Sequence, residues 1–472
     1  MLGRCVRRKS AKRPNKPKLR AEPEFIASDS LQLDIPVTTD SPRPRFRDSA
    51  FMANRTVPVH RWIPWIAGFS SAFVEDCMTN FLGDPKGRTP TVLDPFAGVG
   101  TTLVASVLKG YDSVGFEINP YAALACRVKV NAPTLDVARL KLCRRRYADL
   151  SRNGYERAEG KPPDGFISRI PFFSPAIEEQ VYGLMAFLRT IKDPTIADIF
   201  RLAFGASMVG FSNYTYEPSL CSRPGAGKPL VEKADVHASV LRKVSEMTDD
   251  VVWMQKEVER TGQVGKGKVH ELNFMRSPEV MEPGTIDLAV TSPPYLNNYH
   301  YVRSTRPQLY WLGLIQERAD LRRLEQENVG KYWQTVRDAK EVPLTFKHEG
   351  LARLLGAIRN TRIERRAYGG PGWANYAASY FNDTYDFLGK LRRTLARRGI
   401  AVIVIGNSII QGHEIKVELF LADLAAQQGL VVGGIEQLRT KRVGASITKS
   451  TVRRGQTNQA TLYESAVILH KR

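Results

Sequence analysis

Three short runs of the chain hold residue types whose spacing could do chemistry. The first is Asp94-Pro95-Phe96-Ala97-Gly98-Val99-Gly100-Thr101-Thr102. A short apolar run precedes it and a helical pattern follows, so a strand ends, a glycine turn intervenes and a helix opens. In a parallel sheet such a loop borders the ligand crevice at the carboxyl ends of the strands. Gly98 and Gly100 let a ligand approach the backbone where no Cβ intrudes, and the helix N-terminus behind them favours a negative group. A nicotinamide fingerprint would need a third glycine where Leu103 stands, and no G-x-x-x-x-G-K-[ST] loop occurs. The 5 cysteines are scattered and the 7 histidines isolated. Neither a metal site nor a disulfide framework is therefore expected.

The second run is Phe116-Glu117-Ile118-Asn119-Pro120, at the end of the next apolar segment. An acid there can accept two hydrogen bonds from ribose hydroxyls, although it would serve equally as a cap for the helix that follows. The third is Thr291-Ser292-Pro293-Pro294-Tyr295, directly after the apolar run IDLAV. Two consecutive prolines fix two φ angles and extend the residues before them. The loop is then expected to be stiff and to present the Ser292 hydroxyl, prolyl carbonyls and the Tyr295 ring into the crevice. Its plainer reading is a rigid surface turn.

The elements that must position these runs follow the same chain order. Residues 1–50 read as a basic tail and linker. A helix is expected over 70–82, strands over 91–95 and 113–117, and a helix over 120–131, so 51–131 forms one α/β unit. Residues 132–265 show helical periodicity and few strand signals, an insertion the size of a small domain. Strands resume over 269–274 and 286–291 within a segment 266–302. A second helical insertion spans 303–370. In 371–472 a helix over 374–398 ends at Gly399. The uninterrupted apolar run 400–405 is a buried central strand. A helix near 414–428 and strands over 430–438 and 465–470 complete the chain.

Together DPFAGVGTT, FEINP and TSPPY resemble the S-adenosylmethionine-dependent amino-methyltransferases of DNA, and VPVHRWIPWIAGFSSAFVEDCM (57–78) is similar to a cofactor-facing segment that precedes the core in some members. The resemblance implies a Rossmann-like class I methyltransferase fold, a mostly parallel seven-stranded sheet carrying the two helical insertions. It implies S-adenosyl-L-methionine held by Phe69, Asp94, Pro95, Phe96, Gly98, Gly100, Thr101, Glu117 and Asn119. Asn273 stands where the family often has an Asp facing the adenine amine. It implies Ser292, Pro293, Pro294 and Tyr295 as the catalytic loop, acting on the exocyclic amine of a base flipped from duplex DNA. A serine leading this loop goes mostly with cytosine N4 and an Asp or Asn with adenine N6, so cytosine is favoured. The biological setting implied is a restriction–modification or defence system. An adenine-N6 enzyme, an RNA or protein amide methyltransferase, and a catalytically silent nucleic-acid-binding module stay open as rivals.

Charge points to the same class of partner. Lys+Arg 69 against Asp+Glu 48 gives +21. Nine of the basic residues fall in residues 1–20, which contain no acid. This is either a nucleic-acid-attracting arm or a solvated tail. Residues 439–454 hold six basic residues and no acid. They follow a strand expected to run parallel to the others, which brings Arg439, Lys441, Arg442, Lys449, Arg453 and Arg454 to the motif edge as phosphate contacts, unless the loop is merely solvated. Phe211, Tyr214 and Tyr216 serve either recognition or helix packing. Of the two insertions, 132–265 is favoured for target recognition. No run approaches a membrane span and no secretory leader is evident, so a cytoplasmic, membrane-free protein is expected.

Overall fold

A computed structural model describes residues 37–38, 45–65, 68–82, 87–153, 159–217, 219–277, 280–297, 299, 301–441 and 461–472. Its main sheet has eight strands: β1 (Val37–Thr38), β2 (Thr91–Asp94), β3 (Asp112–Phe116), β4 (Gly267–His270), β5 (Ile286–Thr291), β6 (Leu395–Gly406), β7 (Val431–Lys441) and β8 (Leu462–His470). Their spatial order is β1-β7-β8-β6-β5-β2-β3-β4. Every pairing is parallel except the two made by β8, which runs against both neighbours. Strands β2 to β8 thus form the Rossmann-like class I methyltransferase sheet, seven strands with one reversed near the edge. From β2 the chain first builds outward to β3 and β4, then returns to lay β5 on the other side. That reversal opens the crevice at the carboxyl ends of β2 and β5.

Local chemistry explains the elements that carry the motifs. Val92 and Leu93 of β2 and Ala401 to Ile405 of β6 are buried, as central strands covered on both faces must be. Helix Ser71–Phe81 starts where the Ser70 hydroxyl accepts from the Phe73 N–H at 3.2 Å. Helix Pro120–Val130 starts where Asn119 Oδ1 accepts from the Tyr121 N–H at 3.1 Å, with proline in the first turn.

Three sequence expectations shift. Residues 37–38 and 45–50 are not plain linker. β1 extends the sheet beside β7, Phe46 is buried against Phe73, and Arg47 grips Asp76 at 2.9 Å. An apolar phenylalanine placed over the sheet outweighs the polar composition around it. Gly399 does not end the long helix, which runs Gly370–Thr394. β6 begins at Leu395, and five of its residues match two of β5 between Leu395 and Ile400. Gly399 sits at this irregularity because a Cβ there would stand 2.8 Å from the Ile286 carbonyl oxygen. The strand expected over 269–274 is β4, ending at His270, and Phe274–Arg276 turns instead as a short 3-10 helix.

The first insertion holds helices Val137–Asn153, Pro175–Thr190, Pro194–Ser207 and Val236–Thr261. Its core, with Tyr147, Phe173, Phe200 and Phe204, is continuous with that of helix Pro120–Val130. Asp250 of helix Val236–Thr261 accepts from the Val59 N–H (2.8 Å), Trp62 Nε1 (2.9 Å) and the Arg61 guanidinium, so this insertion anchors the segment before the first helix. The second insertion contributes helices Arg306–Trp311, Arg318–Glu327 and Glu349–Arg359. Among the described residues no helix is long and apolar enough to cross a membrane. Nor do they hold a group of three His, Cys, Asp or Glu placed for a metal ion.

Candidate active site

A crevice of ≈ 690 Å³, its open mouth included, lies at the carboxyl ends of β2, β3 and β5. Pro95, Phe96 and Gly98 after β2, Glu117 and Asn119 after β3, Ser292 and Pro294 after β5, and Asn273 and Phe274 after β4 line it. Three of the sequence motifs therefore open onto one space.

Glu117 is its electrostatic centre. One carboxylate oxygen accepts from the Gly98 N–H at 2.9 Å and the other from the Asn119 N–H at 2.7 Å. Burial pushes the group up to about 7, against the pull of those backbone donors. Gly98 adopts φ 51°, and a Cβ on it would meet Trp65 Nε1 at 3.1 Å. The glycine keeps the floor of the crevice open beneath the indole.

Asp94, Gly100 and Thr101 stand behind the crevice wall. Asp94 accepts from the Thr291 hydroxyl at 2.6 Å and the Phe96 N–H at 3.1 Å, so it ties the end of β2 to the end of β5. Burial raises its carboxyl to about 6. Gly100 (φ 85°) is demanded by helix packing, because a Cβ would lie 2.7 Å from Cys126 Sγ. Phe69 packs on Phe73 in a core cluster away from the crevice, whereas Trp65 of the same segment lines it. Asn273 caps the following turn, accepting from the Met275 N–H at 2.9 Å, and donates to the Glu327 carbonyl at 2.9 Å. Both functions orient it on the crevice wall beside the second insertion.

The Ser-Pro-Pro-Tyr loop is held from below. The Ser408 hydroxyl donates to the Leu296 carbonyl. The Tyr295 ring does not line the crevice as expected: it is 8% exposed, and its edge packs on Gly406 at the end of β6, where a Cβ would be 3.2 Å away. The Ser292 hydroxyl donates to the Tyr295 hydroxyl at 3.3 Å, and Tyr295 donates to buried Glu464 of β8 at 3.0 Å. Burial and the nearby Glu464 charge push the Tyr295 phenol well above its ordinary value.

A second cavity of ≈ 1060 Å³, mouth included, adjoins the crevice and shares Trp65 and Tyr301 with it. Tyr121, Tyr216 and Tyr299 add aromatic walls. Gln308, 4% exposed, donates to the Gly205 carbonyl and the Tyr216 hydroxyl. Its Oε1 and the Tyr121 hydroxyl are buried without a hydrogen-bond partner among the described residues. Of the aromatic trio singled out in the sequence, Tyr216 reaches this cavity, while Phe211 and Tyr214 are buried in the insertion core. Trp65, Tyr301 and Gln308 are site residues that motif reading missed. The signal for Trp65 and Tyr301 is the aromatic density of WIPW and YLNNYHY; Gln308 carries none.

β7 does run parallel to β6, each being antiparallel to β8. Its end therefore emerges at the motif edge, as expected. Arg439 faces inward there and pairs with Glu464 at 2.5 Å. Lys441 closes the strand. Arg442, Lys449, Arg453 and Arg454 lie outside the described residues.

No family model matches the chain. Among solved structures it resembles an rRNA methyltransferase from Streptomyces viridochromogenes, with TM-score 0.31, 10% identity and coverage of 91% of this chain and 96% of that one. So low a score adds nothing to the strand order. Sequence relatives say more. The chain is 21% identical over 455 residues to the type II methyltransferase M.AvaI of Nostoc, covering 89% of this chain and 91% of the relative. It is 23% identical over 436 residues to the type II methyltransferase M.BsoBI of Geobacillus stearothermophilus, covering 84% and 83%. The chain is thus similar to type II methyltransferases along most of its length.

Proposed function

We propose that this chain is a site-specific DNA methyltransferase that transfers the methyl group of S-adenosylmethionine to the exocyclic amine of a base extruded from the duplex, cytosine N4 in preference to adenine N6. The observation that carries the reading is the meeting of Glu117 and Ser292 on one crevice. The named function of the relatives supports its coarser part. A restriction or defence setting is proposed on the same ground.

The crevice residues fit the cofactor. Glu117 offers carboxylate lone pairs to a vicinal diol, Phe96 and Phe274 offer apolar walls to a flat ring, and Gly98 leaves room that a Cβ would occupy. When bound, S-adenosylmethionine supplies an electrophilic methyl group. The protein's task is to make a poor nucleophile better, because the base amine's lone pair is delocalised into its ring. Ser292 Oγ and the Pro293 carbonyl are acceptors of the right type for the two amine N–H bonds. Accepting them localises the lone pair toward the methyl. A duplex buries that amine in its stack, so the nucleotide must leave it. The aromatic cavity beside the crevice suits a flat heterocycle.

The test is incubation of the purified chain with labelled cofactor and duplex DNA, RNA or protein, followed by nucleoside mass spectrometry. N4-methylcytosine in DNA is the expected product. N6-methyladenine would overturn the base preference, and label in RNA or protein alone would overturn the DNA reading.

A further inference from the structure

Glu464 is an acid in the apolar strand β8, 4% exposed and remote from every motif in sequence. A buried charge is retained only where it is paired and hydrogen-bonded. The sheet register supplies both conditions. Glu464 sits opposite Arg439 of β7 on one side and Gly406 of β6 on the other. Gly406 is the residue whose missing side chain admits the Tyr295 ring. One carboxylate oxygen accepts from Arg439 Nε at 2.5 Å, and the other accepts from the Tyr295 hydroxyl at 3.0 Å.

Hydrogen-bond direction then propagates. Arg439 only donates, and both Glu464 oxygens accept, one from Arg439 and one from Tyr295. A hydroxyl has one proton, and Tyr295 gives its proton to Glu464. A tyrosine oxygen so engaged accepts, and the Ser292 hydroxyl 3.3 Å away donates to it. The Ser292 proton is thereby drawn toward Tyr295, leaving the serine lone pairs for the crevice. We propose that Glu464 is a positioning residue that fixes the polarity of the Ser292 hydroxyl, through Tyr295, so that Ser292 meets the target amine as an acceptor. The proposal rests on the methyl-transfer reading above and says which residue, far from the catalytic loop, makes that loop competent.

Substituting Glu464→Gln keeps the volume but reverses the chain. Arg439 claims the new amide oxygen and turns the NH2 toward Tyr295. Tyr295 must then accept and can give its own proton to Ser292, which presents O–H where the amine needs a lone pair. Single-turnover methyl transfer to duplex DNA should fall about 10- to 100-fold, the range of one misdirected polar group in a dry site. Affinity for S-adenosylhomocysteine and for duplex DNA should stay within about twofold, because neither contact involves Glu464. The decisive measurement is the same substitution in a Ser292→Ala background, where no hydroxyl remains to orient. There Glu464→Gln should cost nothing further, whereas a merely structural role would add its full loss. Should Glu464→Gln fail to fold, Tyr295→Phe breaks the same chain with the ion pair intact. It carries the same expectation, including silence in the Ser292→Ala background. A wild-type rate in Glu464→Gln, or a full additional loss in the double variant, overturns the proposal while leaving the enzyme reading in place. A wild-type chain that transfers no methyl to any duplex overturns both.

Discussion

Two carboxylates, half-buried Glu117 and buried Glu464, stand at the same edge of the sheet and are held in opposite ways. Glu117 is gripped by backbone, through the N–H groups of Gly98 and Asn119, within loops that its own neighbours in sequence build. Glu464 is gripped by side chains, Arg439 from the paired strand β7 and Tyr295 from the loop after β5, both distant in sequence. The first arrangement leaves lone pairs facing a ligand crevice. The second is enclosed and passes direction from one hydroxyl to the next. A carboxylate held by local backbone can face outward and bind. One held between strands serves the interior and acts through its neighbours.

The sharpest way to break this comparison is at Ser292, where the two halves of the site meet. Ser292→Ala should lower turnover about 100-fold, as expected for one electrostatic partner lost from a dry site. Cofactor affinity should remain near wild type, since Ser292 lies across the crevice from Glu117. Steady-state kinetics with calorimetry of cofactor binding checks both. A parallel fall in cofactor affinity would make Ser292 part of the cofactor site.

At the other pole, Glu117→Ala should weaken cofactor binding by about 1.5–3 kcal/mol, the range for hydrogen bonds to a charged group. The effect should also depend on pH. Burial keeps the empty site's carboxyl protonated below about 7. Ribose hydroxyls donate to its ionised form, so binding expels a proton. Affinity therefore rises toward pH 7 and levels off above it, with a slope of up to about tenfold per pH unit below. Glu117→Gln should flatten this profile. An unchanged profile in that variant would show that the carboxylate does not meet the ligand.

A third contrast lies within one loop. Gly98 and Gly100 are two residues apart and read alike in sequence, yet a Cβ at Gly98 meets the Trp65 indole on the crevice floor, while one at Gly100 meets Cys126 of the neighbouring helix. Gly100→Ala should cost about 1–3 kcal/mol of stability, from a positive φ and an overfilled helix contact, read by denaturant unfolding. Gly98→Ala should fold better than Gly100→Ala and lose cofactor affinity instead. If both variants lost only stability, the Gly98 side of the crevice would not be a binding surface.

What the sequence made legible follows the same division. DPFAGVGTT, FEINP and TSPPY are local, and each announces its strand end, turn and helix start through residues a few positions apart. The parallel α/β character of the sheet is legible too, because apolar runs alternate with helical periods; the strand order is not. Glu464 shows in sequence only as an acid inside an apolar strand. Its partner Tyr295 is 169 residues away, and they meet only because the β8–β6 register sets Glu464 beside Gly406, over which the loop after β5 packs Tyr295. Trp65 was hidden for a related reason. Its segment was recognised, but which aromatic faces the crevice depends on Asp250, which pins Val59 and Trp62 from 191 and 188 residues away. Phe69 and Trp65 could not be told apart before that anchor was known.

The smallest expected effect concerns the basic segment after β7, and the Glu464 pairing changes its form. Six basic residues between 439 and 454 read as equivalent in sequence. Arg439 is different, since its guanidinium is committed to Glu464 and its side chain is two-thirds covered. Removing it should disturb the catalytic loop and slow methyl transfer, with little change in the salt dependence of DNA binding. Lys441 ends β7, where the chain leaves the sheet on the motif edge, and Arg442 follows it in sequence. If they touch phosphates, neutralising both should weaken binding to all duplex sequences alike and reduce the slope of log affinity against log salt by roughly one unit per contact. Binding measured over a salt series for Arg439→Gln and for Lys441→Gln/Arg442→Gln separates the roles. A slope change from Arg439→Gln as large as that from the Lys441/Arg442 pair would place Arg439 on the backbone of DNA rather than in the catalytic chain. A loss confined to one duplex sequence would make the segment a reader of bases.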